Sequence, residues 1–363
     1  MKLGNRRTII GVMVAIICLL PFGYAGAQNG PQMAEDVWPG IDLLRGMPAD
    51  EFWDIMGMFA ASLGKDCVDC HALAAVDNWE AFAEDTPMLR TARGMINMVN
   101  AINRDNFGGL QYVTCFTCHR GTAIPEIIPE LALQYGIPAE KPNAMEFFPS
   151  RFAPSADELF DAYFEAIGGI EALSELTSFV ATGTYVGYET GHLDVPVEIY
   201  AEPGRRVTVQ SDNVRYFDGT EGWITSENFP IPTMELSGGN LDAARLQALL
   251  SFPAMIRDSF SDWRVGITII DDLDVPVVQG IRDGQLPVNF YFGESGLLDR
   301  VVYWNQTTMG MVPVQLDYSD YREVSGIRMP FTTLMSWTTG QTTYNLTDVQ
   351  TNVAIDEARF ARP

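Results

Sequence analysis

CVDCH, residues 67–71, places two cysteines one helical turn apart and follows them directly with a histidine. The same pattern returns as CFTCH at residues 115–119. The 363-residue chain has five cysteines and three histidines, so the two motifs use all of them except Cys18 and His192. Two copies that take nearly the whole supply of both residue types indicate one chemistry performed twice.

Cys-x-x-Cys-His is the attachment sequence of c-type haem. Two thiols one helical turn apart reach the two vinyl groups on one edge of the porphyrin and form thioethers. The adjacent imidazole then lies under the ring and binds iron. The motifs therefore predict two covalently bound haem c groups. The predicted thioether residues are Cys67, Cys70, Cys115 and Cys118, and the predicted proximal iron ligands are His71 and His119.

Three other chemistries share parts of this pattern. A structural zinc site normally draws on two matched pairs of ligands, whereas each motif offers three. A thioredoxin-like thiol pair is expected in a βαβ context, which this segment lacks. Disulfides are common in exported proteins, but two bridges across such small loops would restrict the unfolded chain very little. Haem attachment is therefore the favoured interpretation.

The N-terminus has the pattern of a secretory signal over residues 1–27. Basic residues precede an apolar run over Thr8–Leu20, and the small-residue sequence AGA ends at Ala27. The run is short for a membrane span. We therefore predict export to the periplasm, with an uncleaved N-terminal anchor as the alternative.

The formal net charge of the chain is −24. A strongly acidic surface disfavours nucleic acid and anionic lipid as partners, and it favours basic ones. We predict a redox partner protein, either a basic soluble cytochrome or a membrane electron-transfer complex, and no nucleic acid.

The second axial ligand of each iron must come from outside the motifs. His192 is the one remaining candidate histidine, so bis-histidine ligation at both sites is impossible. Methionine is the natural substitute, and His/Met ligation raises the reduction potential and suits electron transfer. Core packing is the alternative role for these methionines. The predicted helix before the first motif presents Met56 or Met58, and the one before the second presents Met88, Met95 and Met98.

Three stretches, MGMFAASLGKDCVDCH, EDTPMLRTARGMINMVNAIN and VTCFTCHRGTAIP, resemble the cytochrome c subunit of bacterial photosynthetic reaction centres. The resemblance covers roughly residues 45–130. It implies that a methionine of each preceding helix is the distal ligand: Met56 for the first haem, with Met58 as second choice, and Met95 for the second, with Met98 as second choice. The family carries four haems and an extra distal histidine, whereas this chain has two motifs. It is expected to be a two-haem relative.

The second half of the chain has a different character. A Pro-rich arm or linker over residues 124–154 is expected to separate a mostly α-helical dihaem cytochrome c domain, residues 28–123, from residues 155–363. From Ser178 onward, apolar and polar residues alternate with period two, which predicts antiparallel strands. A helix is predicted over about Asn240–Asp258. The predicted fold is α+β and multidomain, with a curved antiparallel sheet, or half-barrel, covered by this helix.

The pattern of this second half resembles the curved-sheet domains of periplasmic lipoprotein carriers, which hold an apolar ligand between sheet and helix. The alternative is an ordinary core under a covering helix. The side chains predicted to line such a pocket are Met234, Leu246, Leu250, Phe252, Met255 and Ile256.

Together these features predict a periplasmic dihaem electron carrier rather than an enzyme, and no catalytic residue is assigned. One alternative is a dihaem peroxidase or oxidase with one haem open to substrate. The other is a lipid or quinone carrier or sensor that acts through the β domain.

Overall fold

The computed structural model describes residues 30–136, 143–211, 213–227, 229–270 and 273–363. The predicted signal segment lies outside these ranges. Pro31–Pro363 form one compact unit. Within the described ranges, no helix has both the length and the apolar character needed to cross a membrane.

Helices make up most of the N-terminal part, as predicted. Thr86 begins the longest one by accepting a hydrogen bond from the Leu89 N–H, with Pro87 at the first helical position. Gly64 ends the helix before the first motif in a left-handed conformation, with φ of 59°. The helices are α1 Ala34–Val37, α2 Phe52–Leu63, α3 Cys67–Cys70, α4 Pro87–Asn106, α5 Cys115–His119, α6 Leu131–Tyr135, α7 Ala156–Ala166, α8 Ile170–Ser174 and α9 Gly238–Leu250.

The strands of the described residues form one antiparallel sheet. They are β1 Phe148–Pro149, β2 Phe179–Gly187, β3 Val195–Glu202, β4 Arg205–Val209, β5 Asn213–Phe217, β6 Gly222–Ser226, β7 Thr233–Glu235, β8 Asp262–Ile270, β9 Leu273–Ile281, β10 Val288–Phe292, β11 Leu298–Thr307, β12 Gly310–Val324, β13 Ile327–Trp337 and β14 Gly340–Thr351. Their order is β1-β8-β9-β10-β11-β12-β13-β14-β2-β3-β4-β5-β6-β7, so the β14–β2 pairing joins the meander β8–β14 to the meander β2–β7 in one sheet.

The sheet curves around helix α9. This helix packs against both β4 and β11, which are separated by five other strands. In a flat sheet the two strands would lie ~29 Å apart, at about 4.8 Å per step. A helix about 10–12 Å across can contact both only if the sheet bends around it. The predicted curved antiparallel sheet with a covering helix is confirmed.

One helix boundary differs from the prediction. Helix α9 ends at Leu250, and short 3₁₀ turns follow at Pro253–Met255 and Arg257–Ser259. Pro253 explains this end, because a proline disfavours helical geometry in the residue before it. Helices α7 and α8 are divided by Gly168 and Gly169, whose φ angles are 124° and 88°.

The N-terminal helices share a core with the sheet. Ile55 and Met58 of α2 pack with the buried side chains of Met234 and Met309. Gly57 lies so close to the β13–β14 turn that an added Cβ would be 2.1 Å from Cγ2 of Thr339. The helical segment and the sheet are therefore packed together, and the proposed domain boundaries stay predictions.

The end of the predicted arm is docked on the sheet. Phe148–Pro149 pairs with β8. The indole of Trp304 donates to the Asn143 carbonyl at 3.2 Å, and the Gln279 amide donates to the Met145 carbonyl at 2.8 Å. These contacts tie the arm to the face of the sheet opposite to helix α9.

Candidate functional site

Each Cys-x-x-Cys-His motif forms a single helical turn that begins with a capping box. In the first, Asp66 caps the turn and the Asp69 carboxylate accepts from the Asp66 N–H at 2.9 Å. In the second, the Thr117 hydroxyl accepts from the Thr114 N–H at 3.0 Å. The helical turn places the two thiols of each motif on one side. All four motif cysteines are free thiols.

Both motif histidines have the same backbone anchor. The Nδ1 atom of His71 lies 2.9 Å from the carbonyl oxygen of Phe82, and that of His119 lies 3.0 Å from the carbonyl oxygen of Thr122. A carbonyl only accepts, so in each ring the proton is on Nδ1 and the lone pair is on Nε2. Burial lowers the pKa of His71, which also favours the neutral imidazole. Each Nε2 is therefore in the form that binds a metal.

Helix α2 is held against the second motif. The Gly121 N–H donates to the Ser62 carbonyl at 2.9 Å, and an added Cβ on Gly64 would lie 2.2 Å from the Gly121 oxygen. Helix α4 in turn contacts α3, and its cap Thr86 donates to the Cys70 carbonyl at 2.5 Å. The pairing of Met56 with His71 stays a prediction, because α2 also packs on the helix that carries His119.

One cavity of about 1470 Å³ brings the predicted ligands together. Met56 and Met95 both line it. The second choices do not: Met58 is in the core, 6% exposed, and Met98, 45% exposed against 40% for Met95, lies outside the lining. Cys118 is exposed and lies outside the lining. The other motif residues of the lining are Cys67, Cys70, His71, Cys115 and His119, and Met88 also contributes.

The cavity continues into the concave side of the sheet. Of the six predicted pocket residues, Met234 and Leu250 line it. The other four lie outside the lining, so the prediction is wrong for them. Leu246, Phe252 and Ile256 are buried in the core of the sheet, and Met255 is 40% exposed. The helix therefore contributes one side chain of its predicted apolar set, Leu250, while polar Asn240 and Gln247 also line the cavity.

Two residues of the site were not predicted from the sequence, Asn103 and Asp54. Asn103 is 1% exposed, and its amide donates to the Val113 carbonyl at 2.7 Å and accepts from the Val113 N–H at 3.0 Å. These two hydrogen bonds hold the backbone at Val113, directly before the second motif. Asp54 lines the cavity, and burial raises its pKa to about 6. An asparagine within an amphipathic helix and an acid beside an apolar stripe were the available signals.

Two such motifs, each with its imidazole anchored by a carbonyl, are typical of c-type cytochromes. The comparisons agree for the N-terminal part of the chain. Residues 16–136 match the model of the family described as Photosynthetic reaction centre cytochrome C subunit. The photosynthetic reaction center cytochrome c subunit of Roseobacter denitrificans is 28% identical over 109 residues, which are 28% of this chain and 29% of that protein. The chain thus spans less than a third of this relative, and the resemblance predicted from the motifs is confirmed.

Among solved structures, the similar ones cover the larger part of the chain at low identity. A putative outer membrane lipoprotein-sorting protein domain from Vibrio parahaemolyticus is 13% identical and covers 57% of this chain and 97% of its own, with a TM-score of 0.38. A LolA superfamily protein from Nitrosomonas europaea is 12% identical and covers 58% and 99%, with a TM-score of 0.38. At this TM-score the likeness carries no argument about function.

Proposed function

We propose that the protein is a periplasmic c-type cytochrome that carries two covalently bound haem c groups and transfers electrons. The observation that carries this proposal is the shared anchor of His71 and His119. Two imidazoles with Nδ1 on a backbone carbonyl have Nε2 ready for iron, and each follows a pair of free thiols.

The side chains present fit haem c. Burial raises the pKa of the Cys67, Cys70 and Cys115 thiols, whereas a redox-active thiol needs a lowered one. The cysteines of each motif would hold a haem covalently, the histidine that follows them would bind its iron, and the apolar lining of the cavity would exclude water. When bound, haem supplies reversible one-electron chemistry at iron.

Met56 and Met95 are the proposed distal ligands. They support this role by lining the same cavity as both motif histidines, whereas Met58 and Met98 do not line it. Filled axial positions favour electron transfer over binding of small molecules at iron. The alternative, a dihaem peroxidase or oxidase, needs one open position and therefore one of these methionines away from iron.

The redox partner is proposed to be basic. The chain carries a net charge of −24, and complementary charge accelerates encounter between electron-transfer proteins. A basic soluble cytochrome or a membrane electron-transfer complex meets this requirement. The relative from Roseobacter denitrificans is named as a subunit of a reaction center.

The sheet is proposed to bind an apolar ligand. One observation favours this second role: the cavity does not end at the motifs but extends between sheet and helix α9. Its volume of about 1470 Å³ includes the space that two haems would fill beside the motifs. The part between the sheet and helix α9 lies next to the haem-binding side chains, where a carrier or sensor would hold a lipid or a quinone.

The test of the cytochrome function is a redox-titrated optical spectrum of protein made in a haem-attaching host. We expect two haems per chain, and one haem after Cys67→Ala with Cys70→Ala or after Cys115→Ala with Cys118→Ala. A haem-free wild-type chain would refute the proposal. Ready binding of carbon monoxide by both haems of the reduced protein would refute the filled axial positions.

A further inference from the structure

We propose that the sheet part of the cavity binds an elongated apolar molecule with an anionic, carboxylate-type headgroup, which Arg206 holds. The inference rests on the proposed ligand-binding role of the sheet and names the chemistry of the ligand. It does not depend on the haems.

The register of the strands places the arginine inside the curve. In β4 and β5, Arg206 is opposite Phe217 and Thr208 is opposite Arg215. Side chains directly opposite each other in an antiparallel pair share a face, as do residues two apart on one strand. All four therefore point to the same side. Arg206, Thr208 and Arg215 line the cavity, so that side is the concave one.

The guanidinium of Arg206 has donors to spare. Nη1 donates to the Ser251 hydroxyl at 2.7 Å, and Nε lies 3.4 Å from the Thr208 hydroxyl. A guanidinium has five N–H groups. Among the residues that the structure describes, the partners of Arg206 are hydroxyls and not carboxylates, and the phenols of Tyr318 and Tyr344 are the groups that raise its pKa.

Burial dominates the environment of this charge and lowers the pKa of Arg206. Arg206 is partly buried, and a cation that loses part of its hydration without gaining a counter-ion is costly. Arg215, on the same face of the neighbouring strand, is close enough to Asp54 for its charge to lower the pKa of that carboxyl. Arg206 lacks such a partner among the described side chains, so an anion supplied from outside the chain would complete it.

Phenol donors line the same cavity. Tyr303 accepts from the Gln247 amide at 3.2 Å, and Tyr344 accepts from the Gln210 amide at 3.3 Å. Each phenol therefore keeps its own O–H to donate, and no acceptor for either is present in the described part of the chain. Burial raises the pKa of both, to about 12 for Tyr303, so both stay protonated at neutral pH. Such a set of donors suits a carboxylate.

The rest of this part of the cavity is long and apolar. Met329 and Trp337 both line it from one strand, β13. Eight residues of strand correspond to about 27 Å, at roughly 3.4 Å per residue. The other apolar side chains of this part include Leu173, Leu176, Phe179, Val314, Leu316 and Met335. A hydrocarbon chain fits such a space, and a carboxylate accepts hydrogen bonds from the donors at Arg206.

The test uses the full-length, haem-loaded protein after removal of bound lipid. Calorimetry would compare palmitate with hexadecanol, which has the same chain length and no charge. We expect hexadecanol to bind at least about tenfold more weakly, because a hydrogen bond to a charged group contributes more than a neutral one. We expect Arg206→Gln to weaken palmitate by about tenfold or more and to leave hexadecanol unchanged.

Two further variants keep the result interpretable. Arg206→Lys retains the charge and should keep most of the affinity for palmitate even if Arg206→Gln folds poorly. Arg322→Gln is the matched control, because Arg322 is exposed and paired with Asp320; it should bind both probes as wild type does. Haem spectra recorded in parallel report on the electron-transfer site independently.

Equal binding of palmitate and hexadecanol, or palmitate binding that Arg206→Gln leaves unchanged, would overturn the anionic headgroup and leave a ligand-binding sheet. Tighter binding of a neutral quinone than of palmitate would overturn it in the same way. Failure of all of these probes to bind would overturn both the inference and the proposed ligand-binding role.

Discussion

The imidazole of His71 is held by Phe82 in two ways. Its Nδ1 lies 2.9 Å from the Phe82 carbonyl oxygen, and the two rings meet edge to face with centroids 4.9 Å apart. The hydrogen bond sets the tautomer, while the ring contact limits rotation about the bond to the imidazole. Residues 11 positions apart thereby fix the direction of the Nε2 lone pair.

Replacing the proposed distal ligands should change the electronic properties of one haem at a time. We expect Met56→Leu and Met95→Leu each to lower one reduction potential and to remove half of the sulfur-to-iron absorption of the ferric protein, because the thioether ligand is lost. Leucine conserves the volume of methionine, so the free energy of unfolding should change by less than about 1.5 kcal/mol. A spectroelectrochemical titration measures both properties.

The matched controls are Met58→Leu and Met98→Leu, which should leave both potentials near their wild-type values. Unchanged potentials in Met56→Leu would show that this thioether is not bound to iron. A change in Met58→Leu instead would select the second choice.

Gly57 should be intolerant of a methyl group. Its added Cβ would lie 2.1 Å from Cγ2 of Thr339, so Gly57→Ala pushes α2 away from the β13–β14 turn. We expect overpacking to destabilise by about 1–3 kcal/mol. Gly94→Ala is the control in α4, where nothing lies within 4 Å; it should stabilise by about 0.5–1 kcal/mol through helix propensity. Denaturant unfolding of both variants would test this, and equal effects would contradict the close packing of α2.

Gly64 is needed for two reasons, its left-handed backbone conformation and its close contact with Gly121. Its φ is 59°, and an added Cβ would lie 2.2 Å from the Gly121 oxygen. Gly46 has φ of 77° and nothing within 4 Å of its added Cβ. Gly46→Ala should therefore cost only the left-handed conformation, about 1–2 kcal/mol. Gly64→Ala should cost clearly more and disturb the second haem spectrum, and a cost no larger than that of Gly46→Ala would show that the contact with Gly121 is relaxed.

Removal of the Asp50 carboxylate should loosen the attachment of the helices to the sheet. It accepts from the Ser237 N–H at 2.7 Å and from the Ser237 hydroxyl at 2.8 Å. Asp50→Ala leaves these donors unmet, at a cost of about 1–3 kcal/mol. Asp36→Ala, at an exposed position, is the control and should change the free energy of unfolding by less than about 0.5 kcal/mol.

The same carboxylate predicts a pH dependence. Burial raises the pKa of Asp50 above its ordinary 3.8. A raised pKa in the folded state means that the carboxyl stabilises the fold fully below pH 3.8 and that this contribution is lost as the pH rises through the folded value. Asp50→Asn should therefore flatten the decline of stability in this range. A wild-type slope retained in Asp50→Asn would assign the effect elsewhere, with Glu51 as the first group to replace.

The predictable parts of this molecule are those encoded within a few residues. The motif spacing, the helices before each motif and the break at Gly168–Gly169 are local signals, and the alternation of the strands is nearly so. Arg206 carries no local signal, because its position inside the curve depends on strand register. The contact of Asp50 with Ser237 carries none either, because the two residues are 187 positions apart. Gly57 is a further example. Its sequence context suggests only a glycine that destabilises a helix, whereas in the structure it allows α2 to pack closely against the β13–β14 turn.

The contact of Glu51 with Thr308 has a consequence for the order of events during synthesis. The Thr308 N–H donates to the Glu51 carboxylate at 3.0 Å across 257 residues of chain. The motif cysteines are synthesised long before β11 and β12. Closing so long a loop is slow, because its entropy cost must be met before the contacts that stabilise it can form. Until β11 and β12 are made, the part of the cavity wall that they contribute is missing. We therefore expect a haem-attaching enzyme to reach both pairs of thiols more readily before β11 and β12 pair than afterwards.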